Sequence, residues 1–194
     1  MEIWLDLRRI VYVLSDALDL VGIDDVGHGK RVAFMAARAG EVMGFSGTAI
    51  EDLLAAGMFL DCGVSSTGEH RNLAGGLDWD GQEAHCVRGQ ALASRFKPLA
   101  HLAPVIRWHH THAQVLETMD LPVLVKVFAN LIYLADRVDV MMALSGADPL
   151  LARDGIFLTV KDNVGTRFRP DVVQAFLEAG STSGLKRVPT LSLT

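Results

Sequence analysis

The helical spacing of apolar residues is the feature that most restricts how this chain can fold. Apolar side chains recur three and four residues apart in one segment after another, and no run of alternating apolar and polar residues competes with that pattern. Such spacing places the apolar side chains on one face of an α-helix. The sequence therefore predicts an all-α fold, a helical bundle of about seven helices.

Glycines and capping residues indicate where the helices begin and end. Gly22, Gly44 and Gly63 each follow an apolar segment and predict helix ends. Thr48 and Glu51 have the spacing of a capping box, which predicts the start of the third helix. We expect three parts of the chain, namely an N-terminal helix that packs on or extends the domain (1–22), the domain itself (23–180) and a polar C-terminal tail (181–194).

Three further segments have a distinct character. The Ser/Thr/Gly/Asp-rich stretch 64–81 is long for a plain connection and predicts a functional loop or lid. Segment 155–170 is expected to be less regular than the helices before it, and a short helix is predicted from Asp171 to Ala179. The segment that ends near Leu144 is apolar on nearly every face, which predicts a central buried helix.

Charge and hydropathy exclude several classes of function. The net charge is −5 and there is no basic block, which argues against DNA or RNA binding. The most apolar stretch, 121–135, is interrupted by Lys126 and Asn130 and is shorter than the roughly 18 residues of a membrane span. The only two cysteines are Cys62 and Cys86, so a disulfide framework is excluded and a cytoplasmic setting is expected.

Five of the apolar helical stripes run onto a histidine or an aspartate. The residues at these positions are His28, Asp61, His85, the pair His109 and His110, and Asp136. A buried carboxylate without a partner costs several kcal/mol, so the two aspartates require a cation or several hydrogen bonds. Imidazole and carboxylate together form the donor set used by zinc, iron and manganese. The six residues therefore predict a metal site.

Each residue also has a simpler interpretation. A lone inward histidine is often satisfied by a backbone carbonyl, and Asp136 could pair with Arg137 or with a distant arginine. Neighbours such as His109 and His110 point about 100° apart on a helix, so they would approach a metal from different sides. Taken together, the five stripes favour the metal site.

The order of these residues resembles the HD superfamily of metal-dependent phosphohydrolases, and specifically its HD-GYP branch. AHCVRG resembles the family's His-Pro-x-x-Gly with Cys86 in place of Pro, RWHHT contains the histidine pair, and LADRVD resembles Ala-Asp-x-x-Asp. Near the end of the domain, Gly165, Phe168 and Pro170 resemble Gly-x-x-Phe-x-Pro. The resemblance extends over roughly residues 15–179.

This resemblance implies one or two divalent transition-metal ions, and iron, manganese and zinc all suit such a donor set. The family's signature His-Asp-x-Gly stands here as Leu60-Asp61-Cys62-Gly63, so one imidazole is missing. The first position would be held by His28, Asp61 and Asp136, and the second by Asp61, His85, His109 and His110. Asp61, as the bridge, is the implied catalytic residue, and the first position is expected to bind its ion more weakly.

The resemblance also implies hydrolysis of a phosphate ester or nucleotide in signal transduction. The Gly-Tyr-Pro loop is absent from THAQVLETMDLP, and Val64 stands where the family has Lys. We therefore expect weak or altered activity, with no efficient cleavage of cyclic di-GMP. The alternative is a catalytically inactive HD-type module that binds a partner or nucleotide, and a homodimer through the N-terminal helix is compatible with either.

Overall fold

The computed structural model describes residues 6–19, 27–65, 81–146 and 149–181, which form nine α-helices and one 3₁₀ helix. The α-helices are α1 (Leu7–Asp19), α2 (His28–Val42), α3 (Thr48–Phe59), α4 (Glu83–Arg95), α5 (Ala103–Trp108), α6 (Ala113–Thr118), α7 (Val123–Leu144), α8 (Pro149–Asp162) and α9 (Pro170–Ser181). The 3₁₀ helix, Lys97–Leu102, lies between α4 and α5. The described residues contain no strand, and the predicted all-α class is confirmed.

Helix α7 is the centre of the domain. Every residue from Lys126 to Val140 is buried, and α2, α3, α5, α6, α8 and α9 all contact this helix. The buried Asn130 is satisfied by backbone groups: its amide donates to the Arg167 carbonyl at 2.9 Å, and its Oδ1 accepts from the Arg169 amide at 2.8 Å. The predicted central buried helix is confirmed, and its one internal amide side chain fixes the turn between α8 and α9.

Two local predictions are wrong. Helix α3 begins at Thr48 as predicted, but its N-cap is Gly47, whose carbonyl accepts from the amides of Ile50 and Glu51, and no side chain caps the helix. Glu51, predicted to close a capping box with Thr48, instead pairs with Arg8 of α1. Segment 155–170 is helical as far as Asp162, since Ile156 and Val160 one turn apart are buried in the core.

Close contact between two glycines brings α4 against the turn that follows α3. A Cβ on Gly63 would lie 2.0 Å from the His85 carbonyl oxygen and 2.4 Å from the Gly89 amide nitrogen. The Arg88 Nε donates to the Gly63 carbonyl at 2.7 Å and strengthens the same contact. Because no side chain fits between the two backbones, Asp61 is carried close to His85.

Several predictions concern residues outside the described ranges, or properties other than the fold. The outer limits of the first predicted helix, most of the 64–81 loop and the C-terminal tail lie outside the described residues. In the described part of the chain, no helix is both long and apolar enough to cross a membrane. Leu7 and Val11 of α1 pack onto the main core, while the homodimer, the cytoplasmic setting and the division of the chain into parts stay predictions.

Candidate metal centre

The six predicted site residues lie close together in space. His28 is the first residue of α2, Asp61 lies in the turn after α3, His85 is in α4, His109 and His110 lie in the turn after α5, and Asp136 is in α7. The histidine pair occupies a turn because α5 ends at Trp108. Both rings therefore reach the same place, with centroids 4.2 Å apart, although they are neighbours in the sequence.

One part of the site, which we call the carboxylate half, consists of His28, Asp136, Asp139, Arg31 and Arg137. The His28 Nδ1 donates to Asp139 Oδ2 at 2.8 Å, which leaves Nε2 directed at Asp136 Oδ1, 3.2 Å away. Arg31 forms a bidentate pair with Asp139 at 2.7 and 2.8 Å. Arg137 donates to Asp136 Oδ2 from Nε at 3.0 Å and from Nη2 at 2.7 Å. Both carboxylates thus face a guanidinium.

The pKa values in the carboxylate half follow from these pairs. Burial lowers the pKa of His28, but its hydrogen bonds to Asp136 and Asp139 together hold that pKa well above its ordinary value. Burial raises the pKa of Asp136, but the charge of Arg137 and the bond with His28 bring it well below its ordinary value. Without metal, His28 is therefore protonated at Nε2, which faces carboxylates. A bound metal cation would take the position of that proton.

The other part, which we call the histidine half, consists of His85, Cys86, His109 and His110. One ligand atom from each of the four buried residues can be chosen so that all lie within 4.8 Å of one another. The Nε2 atoms of His85 and His109 are 3.4 Å apart, and Cys86 Sγ is 3.5 Å from His85 Nε2. The His109 Nδ1 donates to the Ile106 carbonyl at 2.7 Å, which orients its Nε2 toward the cluster.

The pKa shifts in the histidine half differ from those in the carboxylate half. Burial raises the pKa of Cys86, but the charge of His109 and hydrogen bonds with His109 and His85 lower it to about 6. Burial lowers the pKa of His109, but Cys86 and Asp61 raise it to about 9. Burial, followed by the charge of His109, holds the pKa of His110 well below its ordinary value. His110 is therefore neutral, the state in which imidazole binds a metal.

Asp61 lies between the two halves. Its Oδ2 is 3.7 Å from His28 Nε2, and its Oδ1 is 3.6 Å from His85 Nε2. Among the described residues, Asp61 Oδ1, His85 Nδ1 and His110 Nδ1 are buried atoms without a hydrogen-bond partner. Unsatisfied buried polar atoms are rare and costly, so this donor set fits a divalent cation.

Sequence analysis missed the part that three residues play in this site. Asp139 and Arg31 were not assigned a role, although Asp139 lies one helical turn beyond Asp136, a spacing that places both on one face. The pairing of Asp136 with Arg137, one of the alternatives that the sequence left open, is observed. Cys86 was noted only as a departure from the family's Pro. Its position next to His85 was the available signal. Leu60, where the resemblance would place a histidine, is 1% exposed and belongs to the main hydrophobic core.

Fold and site together define an all-helical protein with a buried cluster suited to a transition metal. The chain is similar to a protein of Vibrio cholerae serotype O1 named 3'3'-cGAMP-specific phosphodiesterase 1, with 35% identity over 174 residues that cover 87% of this chain. The match spans 40% of the length of that relative. No protein-family model matches the chain, and no solved structure gives a significant match.

Proposed function

We propose that the chain is an HD-GYP-like phosphodiesterase domain of a signalling protein, with weak or altered activity. The observation that carries the proposal is the convergence of His85, His109 and Asp61 through contacts of 3.4 and 3.6 Å, with the ring of His110 beside them and buried donor atoms left unsatisfied. The 35% identity to a protein named as a phosphodiesterase supports the same reaction class.

The residues that would hold metal fall into two sets that share Asp61. His85, His109 and His110 with Asp61 would hold one ion tightly, and His28 and Asp136 with Asp61 would hold a second ion weakly. When bound, a divalent ion of this kind acts as a Lewis acid on the phosphoryl group and lowers the pKa of the attacking water. Iron, manganese and zinc are all compatible with imidazole and carboxylate ligands.

The surrounding residues of the chain would orient these donors. The Ile106 carbonyl holds the Nδ1 of His109, and Asp139 holds the Nδ1 of His28, so each ring presents Nε2 to the site. Such contacts from outside the ligand set fix ring orientation and raise the basicity of the ligating nitrogen. Asp61, which reaches toward both halves, is the group best placed to contact the reacting centre.

The substrate we propose is a cyclic dinucleotide. The Vibrio cholerae relative is named for 3'3'-cGAMP, and we propose that this dinucleotide is preferred over cyclic di-GMP. The absence of the Gly-Tyr-Pro loop and of a lysine after Gly63 supports this preference, because both are typical of HD-GYP domains.

The test is hydrolysis of 3'3'-cGAMP and cyclic di-GMP by protein purified without chelator, with metal content measured on the same sample. We expect turnover of 3'3'-cGAMP that exceeds turnover of cyclic di-GMP. His109→Asn should reduce turnover by at least about 100-fold, since even removal of residues outside the ligand set costs 10- to 100-fold. The matched control is His101→Asn, because His101 is a surface histidine paired with Asp52 at 2.8 Å, and its turnover should stay within about twofold of the parent's.

A second candidate function is a catalytically inactive module that binds a partner or nucleotide. The ion pair between Arg137 and Asp136 favours it, because this pair already neutralises a carboxylate that the first metal position would use. Saturable binding of 3'3'-cGAMP without turnover, in a sample that contains bound metal, would support this module over the enzyme. Faster turnover of cyclic di-GMP than of 3'3'-cGAMP would contradict the proposed preference.

A further inference from the structure

We propose that the Cys86 thiolate is a metal ligand of the histidine half, so that its ion is held by sulfur as well as by imidazole. The inference rests on the proposed function only in requiring that this half binds a metal. A sulfur ligand at this position is not part of the pattern that the sequence resembles, in which the residue is a proline that has no side-chain donor.

The interatomic distances match a tetrahedral site. Two nitrogens that each lie 2.0–2.1 Å from one tetrahedral ion are separated by about 3.4 Å, and a sulfur at 2.3 Å is about 3.6 Å from such a nitrogen. The observed separations are 3.4 Å between the Nε2 atoms of His85 and His109, and 3.5 Å between Cys86 Sγ and His85 Nε2. His85 Nε2 thus has the spacing that one ion would impose to both of the other donor atoms, and Cys86 Sγ also lies 3.8 Å from the His109 ring at Nδ1.

A fourth donor comes from His110. Its ring centroid is 5.0 Å from that of His85, its side chain is 3% exposed, and its Nδ1 has no hydrogen-bond partner among the described residues. His110 Nδ1 is therefore a buried donor atom, independent of Cys86, that a bound metal would satisfy. A set of three imidazoles and one thiolate has the donor types and number of a tetrahedral zinc site.

Charge balance favours the thiolate. Three neutral imidazoles and the Asp61 carboxylate would leave a buried divalent ion with one uncompensated positive charge, which is costly in a low dielectric. Asp136 and Asp139 do not supply the missing charge, because they are paired with Arg137 and Arg31. With three imidazoles and a Cys86 thiolate as the tetrahedral set and the Asp61 carboxylate beside that set, the cluster would be neutral. A soft sulfur ligand also shifts preference toward zinc or cobalt and away from manganese.

The competing explanation is that Cys86 is a packing residue. Its Sγ lies 3.4 Å from the Gln82 carbonyl, one helical turn back, as expected for any cysteine inside a helix. That contact uses the proton of the thiol, whereas metal binding would remove the proton. The two explanations therefore differ in whether sulfur enters the coordination sphere.

The test is X-ray absorption spectroscopy of the zinc-loaded parent chain, together with the near-ultraviolet spectrum of the cobalt-loaded chain. We expect a sulfur shell at about 2.3 Å beside nitrogen or oxygen at 2.0–2.1 Å, and a thiolate-to-cobalt charge-transfer band. Cys86→Ser should remove the sulfur shell and the band, and should weaken zinc affinity by about 10- to 100-fold or more. Manganese affinity should change less.

Cys62→Ser is the matched control. Cys62 is the other free thiol, and its Sγ lies 3.8 Å from the Gly89 carbonyl, so its loss should change neither the spectrum nor zinc affinity. If the parent binds one zinc with nitrogen and oxygen ligands alone, the Cys86 inference is overturned and the proposed function survives. If the parent binds no metal at all, both are overturned. The parent spectrum decides between these outcomes even where Cys86→Ser does not fold.

Discussion

The two halves of the site, which lie on either side of Asp61, differ in how their buried polar groups are satisfied. In the carboxylate half, Asp136 and Asp139 already accept hydrogen bonds from Arg137 and Arg31. In the histidine half, His110 Nδ1 has no hydrogen-bond partner among the described residues, and neither has Asp61 Oδ1, which faces this half. Arginines balance the carboxylates of one half, while the other retains buried polar atoms that a bound cation would satisfy.

This difference shows how the imidazole that is missing at position 60 affects the carboxylate half, to which it would belong. Leu60 fills its position with an apolar side chain that packs into the main core. The remaining charges of that half are balanced by arginine, and a second cation would compete with the Arg137 guanidinium for Asp136. We therefore expect the histidine half to dominate metal binding, and the predictions below test that asymmetry from the largest effect to the smallest.

Gly63→Ala should have the largest effect, because it separates Asp61 from the histidine half. The new Cβ would lie 2.0 Å from the His85 carbonyl oxygen, so two backbones must move apart. We expect a loss of unfolding free energy of about 4 kcal/mol or more, at the upper end for single substitutions. Urea unfolding monitored by circular dichroism measures the change.

The matched control is Gly155→Ala in α8, where an added Cβ meets nothing within 4 Å. An exposed helical glycine replaced by alanine should stabilise the protein by about 0.5–1 kcal/mol. Equal effects of the two substitutions would show that the contact between Gly63 and Gly89 does not hold α4 against the turn.

Exchange of one histidine in each half compares their metal affinities directly. His85→Asn should lose the tightly held ion on dialysis, because it removes an imidazole from the dominant position. His28→Asn should keep that ion and lose only a weak second one. We expect an affinity difference between the two variants of at least about 10- to 100-fold, measured by metal content after dialysis and by competition with a chelator. Equal loss in both variants would mean that the ions bind as one unit.

Leu60→His should partly restore the carboxylate half. The new imidazole would stand next to Asp61 at the end of α3, and metal stoichiometry should rise from about one toward two, with faster hydrolysis of an aryl phosphodiester. Replacing a fully buried apolar side chain with a polar one should cost about 1–3 kcal/mol of stability. If Leu60→His folds but gains neither metal nor activity, then the ion pair of Arg137 with Asp136, and not the missing ligand, prevents metal binding in the carboxylate half.

The sequence was sufficient to predict the class of fold and the approximate location of the site. Apolar stripes that run onto a histidine or an aspartate require those residues to face the interior, and His28, Asp61 and His85 lie together in the structure. The close approach that brings Asp61 to His85 depends on two glycines far apart in the chain. Periodicity gives no information about which turns of the chain will meet, so this contact could only be seen in the fold.

Predictions that depended on local signals alone were less successful. The Thr48 and Glu51 spacing suited a capping box, but the long-range pairing of Glu51 with Arg8 uses the carboxylate elsewhere. Gly155 suggested an irregular segment, although an exposed glycine is tolerated in a helix whose other face is buried. The place of Cys86 in the histidine half was missed because its closeness to His109 depends on packing between α4 and the turn after α5.

The smallest expected effect is a difference in how the two halves respond to pH in chelator-treated protein. His28 has a raised pKa because of Asp136 and Asp139, whereas His110 has a lowered pKa because of burial and the charge of His109. We expect the imidazole NMR signals of His28 to show the protonated ring above pH 6.5, and those of His110 to show the neutral ring below it.

The consequences for stability have opposite signs. A raised pKa in the folded state favours folding below the unfolded pKa of about 6.5, and this contribution is lost as pH rises through the folded pKa of His28. A lowered pKa means that the unfolded chain takes up the proton first, so His110 makes folding less favourable as pH falls below about 6.5. Each slope is at most about 1.4 kcal/mol per pH unit. His28→Gln should remove the loss of unfolding free energy at high pH, and His110→Gln should remove the loss at low pH. Urea unfolding across the pH range measures both. Loss of both slopes in either variant alone would mean that the two rings titrate as one coupled group, which would contradict the separation of the site into two halves.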